Sequence, residues 1–282
     1  MHPIVNIAMR AARRAGEIML RALDRLDRLE VDLKGKNDFV SEVDRACEEE
    51  IIRILKRAYP HHRFLGEEGG LRHGAEPPEY LWIIDPLDGT INFLHGFPHC
   101  AISIALLHRG RVEHGVVFDP FKNEMFVASR GLGAMLNQKR IRVSRQTTLS
   151  GALLGTGFPF KYPQHLDTYL KMFKALFLDT AGIRRAGTAS LDLAYVACGR
   201  LDGFWEFGLK PWDIAAGVLL VQEAGGLVTD FAGEDHYLET GSVVCGTPRL
   251  HKLILDKIRP YVVDDLIEKR YLQDVTERAF RS

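Results

Sequence analysis

The chain has 282 residues, 46% of them hydrophobic, which supplies a core for one large domain or two modest ones. Lysine plus arginine and aspartate plus glutamate both total 37, so the formal charge is zero; without a long basic block this excludes a sequence-independent hold on nucleic acid. No stretch has the length and apolarity of a bilayer span and the start, Met1 to Asn6, lacks a signal-peptide core, so a cytoplasmic protein without a membrane partner is expected.

Ile4, Ala8, Ala11, Ala15, Ile18 and Met19 recur at helical spacing, as do Val43, Cys47, Ile51, Ile54, Leu55 and Ala58, which predicts two amphipathic helices at the start. Lys34 to Asp38 reads as a polar turn between them, and Ser41 with Asp44 as the capping signal of the second. Leu81 to Ile84 has the apolar run of a buried strand, which Pro86 is expected to end. Beyond it, strands are expected over 100–107, 111–118, 124–128 and 134–136, forming an antiparallel meander. From Gly151 strand and helix alternate: a strand over 152–156, helices over 164–177 and 188–197, and a short strand over 203–206. A last helix opens at Pro211 and is stopped by Gly225-Gly226. No repeat or low-complexity linker intervenes, so one layered α/β domain is expected over 1–260, with halves near 1–150 and 151–260. Residues 261–282 are charged with some helical periodicity, and a terminal helix or a frayed tail is expected there.

The most informative stretch is Leu81 to Thr90, where an apolar run stops at a cluster of oxygen donors. Asp85, the Leu87 carbonyl and Asp88 stand together there, Gly89 allows close approach of another group, and Thr90 suits a helix start. Such a turn fits a hard cation beside an anion. Glu67-Glu68 repeats the arrangement after Phe64-Leu65-Gly66. Asp213 suits the first turn of its helix through the dipole, yet Trp212 and Ile214-Ala215-Ala216 place it at the edge of a buried helix. Convergence of Glu67, Asp85, Asp88 and Asp213 would give an all-oxygen donor set for magnesium or manganese rather than zinc. Two or three such ions polarise a phosphate, acidify a bound water and stabilise a leaving alkoxide, so no protein nucleophile is required. Thr90 would orient the water and Asp44 help accept its proton, although Asp44 equally suits a helix cap.

Other chemistries lack their signatures. Asp-x-Asp-x-Thr, the Gly-x-x-x-x-Gly-Lys-Ser/Thr loop, Gly-x-Ser-x-Gly and His-Glu-x-x-His are absent. The Cys-x5-Arg spacing from Cys47 to Arg53 carries Glu48-Glu49-Glu50, which would repel a phosphate. Cys47, Cys100, Cys198 and Cys245 are far apart and read as reduced, buried thiols.

Three acidic motifs in order, Gly66-Glu67-Glu68, Trp82 to Thr90 and Pro211 to Gly217, resemble those of the inositol monophosphatase family, in particular its bacterial SuhB-type branch, over Met1 to Arg259. The resemblance implies a layered αβαβα sandwich and a magnesium-dependent phosphoric monoester hydrolase acting on inositol monophosphate without a covalent intermediate. It implies Glu67, Asp85, the Leu87 carbonyl, Asp88 and Asp213 as metal ligands, with Glu67 also catalytic, and Gly89 and Thr90 as phosphate contacts. Asp44 becomes the acid behind the catalytic water. Gly187-Thr188-Ala189-Ser190 and Glu206 resemble the polyol-binding segment, so Ala189 and Glu206, with Asp88 and Asp213, are expected to meet the substrate. Two or three Mg2+ ions are implied, with Mn2+ as a substitute, inhibition by Li+ and Ca2+, and a homodimer. Fructose 1,6-bisphosphate, histidinol phosphate and 3′-phosphoadenosine nucleotides are the alternative substrates. A role independent of catalysis, as a partner of transcription antitermination proteins or RNA polymerase, is the alternative class, with Arg184-Arg185 and the charged C-terminal region as candidate surface. Ile91 departs from the second Thr of many relatives, and Lys210 stands in a variable loop near the expected leaving-group side.

Overall fold

The computed structural model describes residues 2–29, 31–35, 38–72 and 79–271. In chain order the elements are α1 (Pro3–Ala22), β1 (Val31–Gly35), β2 (Asp38–Ser41), α2 (Glu42–Ala58), β3 (Arg63–Gly66), β4 (Gly70–Arg72), β5 (Tyr80–Asp88) and α3 (Thr90–Leu94). The meander follows as β6 (Ala101–His108), β7 (Arg111–Asp119), β8 (Glu124–Ser129), β9 (Gly133–Leu136) and β10 (Lys139–Arg140). The second half holds β11 (Leu153–Thr156), α4 (Leu166–Phe177), β12 (Gly182–Arg184), α5 (Ala189–Ala197), β13 (Gly203–Glu206) and α6 (Pro211–Glu223). It closes with β14 (Leu227–Thr229), α7 (Tyr237–Thr240), β15 (Val243–Gly246) and α8 (Pro248–Ile258).

These elements stack as helix, sheet, helix, sheet, helix, the α/β sandwich expected. The outer layer is α1 with α2. Pro3 opens α1, where the His2 ring accepts from the Ile4 N–H, and a stripe of Val5, Ala8, Ala12, Ala15 and Met19 is buried. Behind it lies an eight-stranded sheet in the order β10-β9-β8-β7-β6-β5-β3-β4. Strand β5 is apolar on both faces because helices cover both: Trp82 and Ile84 join the α1–α2 core, Leu81 and Ile83 the core on the other side. That inner core surrounds α5 and α6, which are apolar around most of their circumference since sheets lie above and below. A Cβ on Gly115 of β7 would come within 2.9 Å of the Ala216 carbonyl, so α6 lies against the sheet at a distance only glycine allows. The second sheet, β12-β11-β13-β15-β14, carries α4 and α8 on its far face, sealed by Tyr169, Trp205 and Ile254.

The structure departs from the expectations at four places. Pro86 does not end its strand: β5 runs to Asp88 through an irregularity between Asp85 and Asp88, where pairing with β6 skips and resumes at Asp88 with Ala101. An irregular ladder accommodates the missing proline N–H. The polar turn at 34–38 is flanked by the hairpin β1–β2, with Lys36 and Asn37 outside the described residues. Strands β4, β12, β14 and β15 and helices α7 and α8 are additional to the elements expected. The tail shows one short helical turn at Asp264–Leu266 and no helix from there to Tyr271; the remaining residues lie outside those described. Cys47, Cys100 and Cys245 are buried free thiols, and Cys198 is partly exposed. No helix among the described residues is long and apolar enough to cross a membrane.

Candidate active site

The acids singled out in the sequence come from distant elements and meet at one cavity of about 180 Å³. Glu67 arrives from the turn after β3, and Asp85, Leu87 and Asp88 from the end of β5. Gly89 and Thr90 lie at the start of α3, Ala189 at the start of α5, Glu206 at the end of β13 and Asp213 in the first turn of α6. Asp44 is not part of the wall. It stands behind Thr90, whose hydroxyl lies 3.0 Å from Asp44 Oδ1 and 3.2 Å from the Leu87 carbonyl oxygen. Asp44 also accepts the Ser41 N–H at 2.8 Å and closes the capping box of α2, so the capping reading of this residue holds, and the cap leaves its other oxygen at the Thr90 hydroxyl.

Local rules hold each carboxylate in place. Asp85 is buried and accepts the Leu87 N–H at 3.0 Å, within the irregular part of β5. Asp88 accepts the Ser190 N–H at 2.8 Å, meeting a first-turn donor of α5 that its N-cap, Thr188, leaves uncapped. Asp213 accepts the Lys210 N–H at 2.7 Å at the head of α6. Gly89 adopts φ 95°, and a Cβ there would lie 2.6 Å from Thr188 Oγ1. The start of α3 is thereby pressed against the segment that leads into α5.

Burial and like charge dominate the electrostatics. Burial, reinforced by Glu67, Asp88 and Asp213, pushes the Asp85 carboxyl far above the usual range. Asp88 is pushed up to about 6, by burial first, against the pull of its hydrogen bonds to Ser190. Asp213 is pushed up to about 7 by burial and the Asp88 charge, and Glu206 well above its ordinary value by burial and Asp192. Asp44 is raised by burial against its bonds to Ser41 and Thr90.

Several wall residues carry no sequence signal of their own. Lys161, Asn92 and Gly157 line the cavity, as does Arg185, which the sequence offered as exposed basic surface. The Arg185 guanidinium also lies over the Phe158 and Phe160 rings, 5.3 and 5.0 Å from their centroids. A Cβ on Gly157 would overlap the Glu206 carboxylate at 1.9 Å, so that glycine makes room for the acid. Glu48, in the acid run that the sequence offered only as repelling a phosphate, is buried and accepts the Glu68 N–H at 2.8 Å. A Cβ on Gly66 would stand 2.3 Å from its carboxylate oxygen, which explains the glycine of Gly66-Glu67-Glu68.

No three His, Cys, Asp or Glu side chains among the described residues stand in a ready-made metal-holding group. The donor chemistry of the wall still fits a hard cation: its acids and the Leu87 carbonyl all offer oxygen, and burial together with their crowding drives up the proton affinity of Asp85. Positive charge is what such a cluster calls for.

An α/β sandwich with acids from both halves of the chain gathered at one cavity defines the class, and comparison with known proteins gives the family. The model of the inositol monophosphatase family matches residues 1–262, and the chain belongs to that family. It is 57% identical over 269 residues to the Nus factor SuhB of Pseudomonas aeruginosa, covering 94% of this chain and 99% of that one. The extragenic suppressor protein suhB from Bartonella henselae superposes with a TM-score of 0.90 at 40% identity, over 93% of this chain and all of the other. The inositol monophosphatase from Anabaena (Nostoc) gives 0.81 at 39% identity, over 90% and 94% of the two chains.

Proposed function

We propose that this protein hydrolyses inositol monophosphate to inositol and phosphate, using divalent metal ions and no covalent enzyme intermediate. The observation that carries the reading is the meeting of Glu67, Asp85, Asp88 and Asp213, from three separate stretches of chain, on the wall that also holds Ala189 and Glu206. Glu67, Asp85, the Leu87 carbonyl, Asp88 and Asp213 would hold magnesium, which supplies Lewis acidity toward the phosphate and lowers the pKa of water. Thr90 orients the attacking water, and its hydroxyl relays a proton to Asp44 Oδ1 over the 3.0 Å hydrogen bond. Burial of Asp44 raises its proton affinity, which suits a proton acceptor. Water oxygen bonds to phosphorus as the ester oxygen departs and takes a proton, giving the free polyol. Gly89 and Thr90 contact the phosphate, while Glu206 and the Ala189 segment meet the hydroxyls of the ring.

The test is phosphate release from a panel of inositol 1-phosphate, fructose 1,6-bisphosphate, histidinol phosphate and a 3′-phosphoadenosine nucleotide. Chelation should abolish turnover, magnesium restore it, and inositol 1-phosphate show the highest kcat/KM. Turnover undiminished in chelator would refute the reading.

A second reading is favoured by the name Nus factor borne by the Pseudomonas relative. We propose that the chain also serves as a partner in transcription antitermination, through a surface separate from catalysis. Asp85→Asn distinguishes the two: it should abolish hydrolysis and leave binding to the transcription machinery intact. Loss of both would argue against a separate surface.

A further inference from the structure

The family match ends at residue 262, but the described chain continues to Tyr271, and that last stretch packs against loops that adjoin the cavity wall. The Arg270 and Tyr271 N–H groups both donate to the Glu239 carbonyl, at 2.8 and 2.9 Å, while Ser242 Oγ donates to the Leu266 carbonyl at 2.6 Å. The segment is therefore bonded to the body along its backbone before it reaches Tyr271. The Tyr271 hydroxyl accepts from Lys210 Nζ at 2.9 Å and lies 2.9 Å from the Tyr162 hydroxyl, and the Lys210 ammonium stands 4.1 Å from the ring centroid. Its edge packs where a Cβ on Gly241 would come within 3.0 Å, beside the Leu209 carbonyl.

These partners belong to two stretches of cavity wall. Tyr162 follows Lys161, and Lys210 stands between Leu209 and the Pro211-Trp212-Asp213 turn; Lys161, Leu209 and Asp213 all line the cavity. Lys210 also donates its backbone N–H to Asp213. One side chain from beyond the family core thus ties together the loops that carry the wall.

We infer that Tyr271 is a positioning residue that fastens the Lys210 and Tyr162 loops and so sets how the cavity accepts the polyol part of its substrate. The inference rests on the phosphatase reading for its substrate and on the hydrogen bonds alone for the fastening. The Tyr271→Phe change keeps the ring over Lys210 and removes both hydroxyl contacts; Tyr271→Ala removes every side-chain contact and keeps the backbone bond to Glu239; a chain stopped after Arg270 keeps the Arg270 N–H bond to Glu239 and the buried Leu266.

The first measurement is amide hydrogen exchange over 207–213, which does not depend on activity. Exchange should quicken about tenfold in the alanine and shortened variants and about fivefold in the phenylalanine variant, with the first helices unchanged. The second is steady-state kinetics. KM for inositol 1-phosphate should rise about fivefold in Tyr271→Ala with kcat within twofold, while KM for p-nitrophenyl phosphate, which lacks a polyol, stays put. Unchanged exchange over 207–213 in all three variants would overturn the fastening, and an equal KM rise for both esters would overturn the positioning role. If the unaltered protein cleaves no ester, the phosphatase reading falls on its own, and exchange still decides whether Tyr271 secures the wall.

Discussion

The contact between Glu48 and Gly66 offers a sharp test of how Glu67 is placed, because two substitutions should break the same interaction from opposite sides. Glu48→Ala removes a buried, charge-assisted bond to the Glu68 N–H, which costs about 2 kcal/mol. Gly66→Ala puts a Cβ 2.3 Å from Glu48 Oε2 and 2.4 Å from its carboxyl carbon. Ordinary van der Waals contact requires about 1 Å more, and the buried carboxylate yields only by giving up that bond, for another cost of about 2 kcal/mol. In the double variant the new methyl enters space the carboxylate has left, so the combined loss should stay near about 2 kcal/mol, far from the sum of about 4. Urea unfolding of the four proteins measures the cycle. Additivity to within about 0.5 kcal/mol would refute the shared contact. Each single variant should also lower kcat/KM about tenfold at full occupancy of the folded state, since Glu67 immediately precedes the anchored Glu68 N–H.

Thr90→Val keeps shape and loses the hydroxyl, so kcat should fall about a hundredfold with KM within threefold; a small effect on kcat would remove Thr90 from the proton relay. Gly157→Ala displaces the Glu206 carboxylate, and inositol 1-phosphate should bind several-fold more weakly while inorganic phosphate inhibits as before. Burial lowers the His251 imidazole to about 4, and its Nε2 lies 2.8 Å from Thr229 Oγ1. The unfolded chain therefore binds a proton between about pH 6.5 and 4 that the folded chain refuses, so this stability is complete above about 6.5 and is lost as pH falls toward 4. His251→Gln should remove about 1 kcal/mol of that acid sensitivity after allowance for solvent screening, as read from urea midpoints at pH 7.5 and 5. His62, His99 and His114, also lowered to about 4 by burial, should retain the rest.

The parts of the fold legible in the sequence are those whose burial is one-sided and periodic. The helices α1 and α2 and the strands of the meander present one face to a core, and their apolar spacing shows it. The strands β12, β14 and β15 span only three or four residues each, too short for a period to appear against the loops around them. Helix α8 does carry a legible pattern, an apolar stripe of Leu250, Ile254, Leu255 and Ile258 behind a capping Thr247. In the site, the acids were legible because carboxylates end apolar runs. Glu48 was not, since burial of one acid in a run of three depends on Gly66, eighteen positions away. Arg185 was likewise opaque: only the fold brings it to the cavity.

Three of the site acids are also helix caps, and this bears on which substitutions report on chemistry. Asp44 closes the capping box of α2, Asp213 bonds the backbone at the head of α6, and Asp88 reaches from the end of β5 to a first-turn N–H of α5. A carboxylate has two oxygens and about four acceptor positions, so one backbone N–H fixes its orientation without exhausting its capacity. Asp88 and Asp213 in the cavity wall and Asp44 behind it are thus held by the same interactions that start the helices of the sandwich, so a capping role for Asp44 and Asp213 does not compete with a role in hydrolysis. Replacing any of the three by alanine removes a cap worth about 1 kcal/mol along with any role in hydrolysis, so lost activity alone would be ambiguous. Asp85 is different, because it accepts the Leu87 N–H within β5 and caps no helix. Asp85→Asn preserves size and an acceptor and, by removing the charge that Glu67, Asp88 and Asp213 repel, should leave the metal-free protein at least as stable as before. Abolished turnover with an unchanged or raised unfolding midpoint would place the role of Asp85 in chemistry; a large loss of stability would mean that its charge is needed for folding itself.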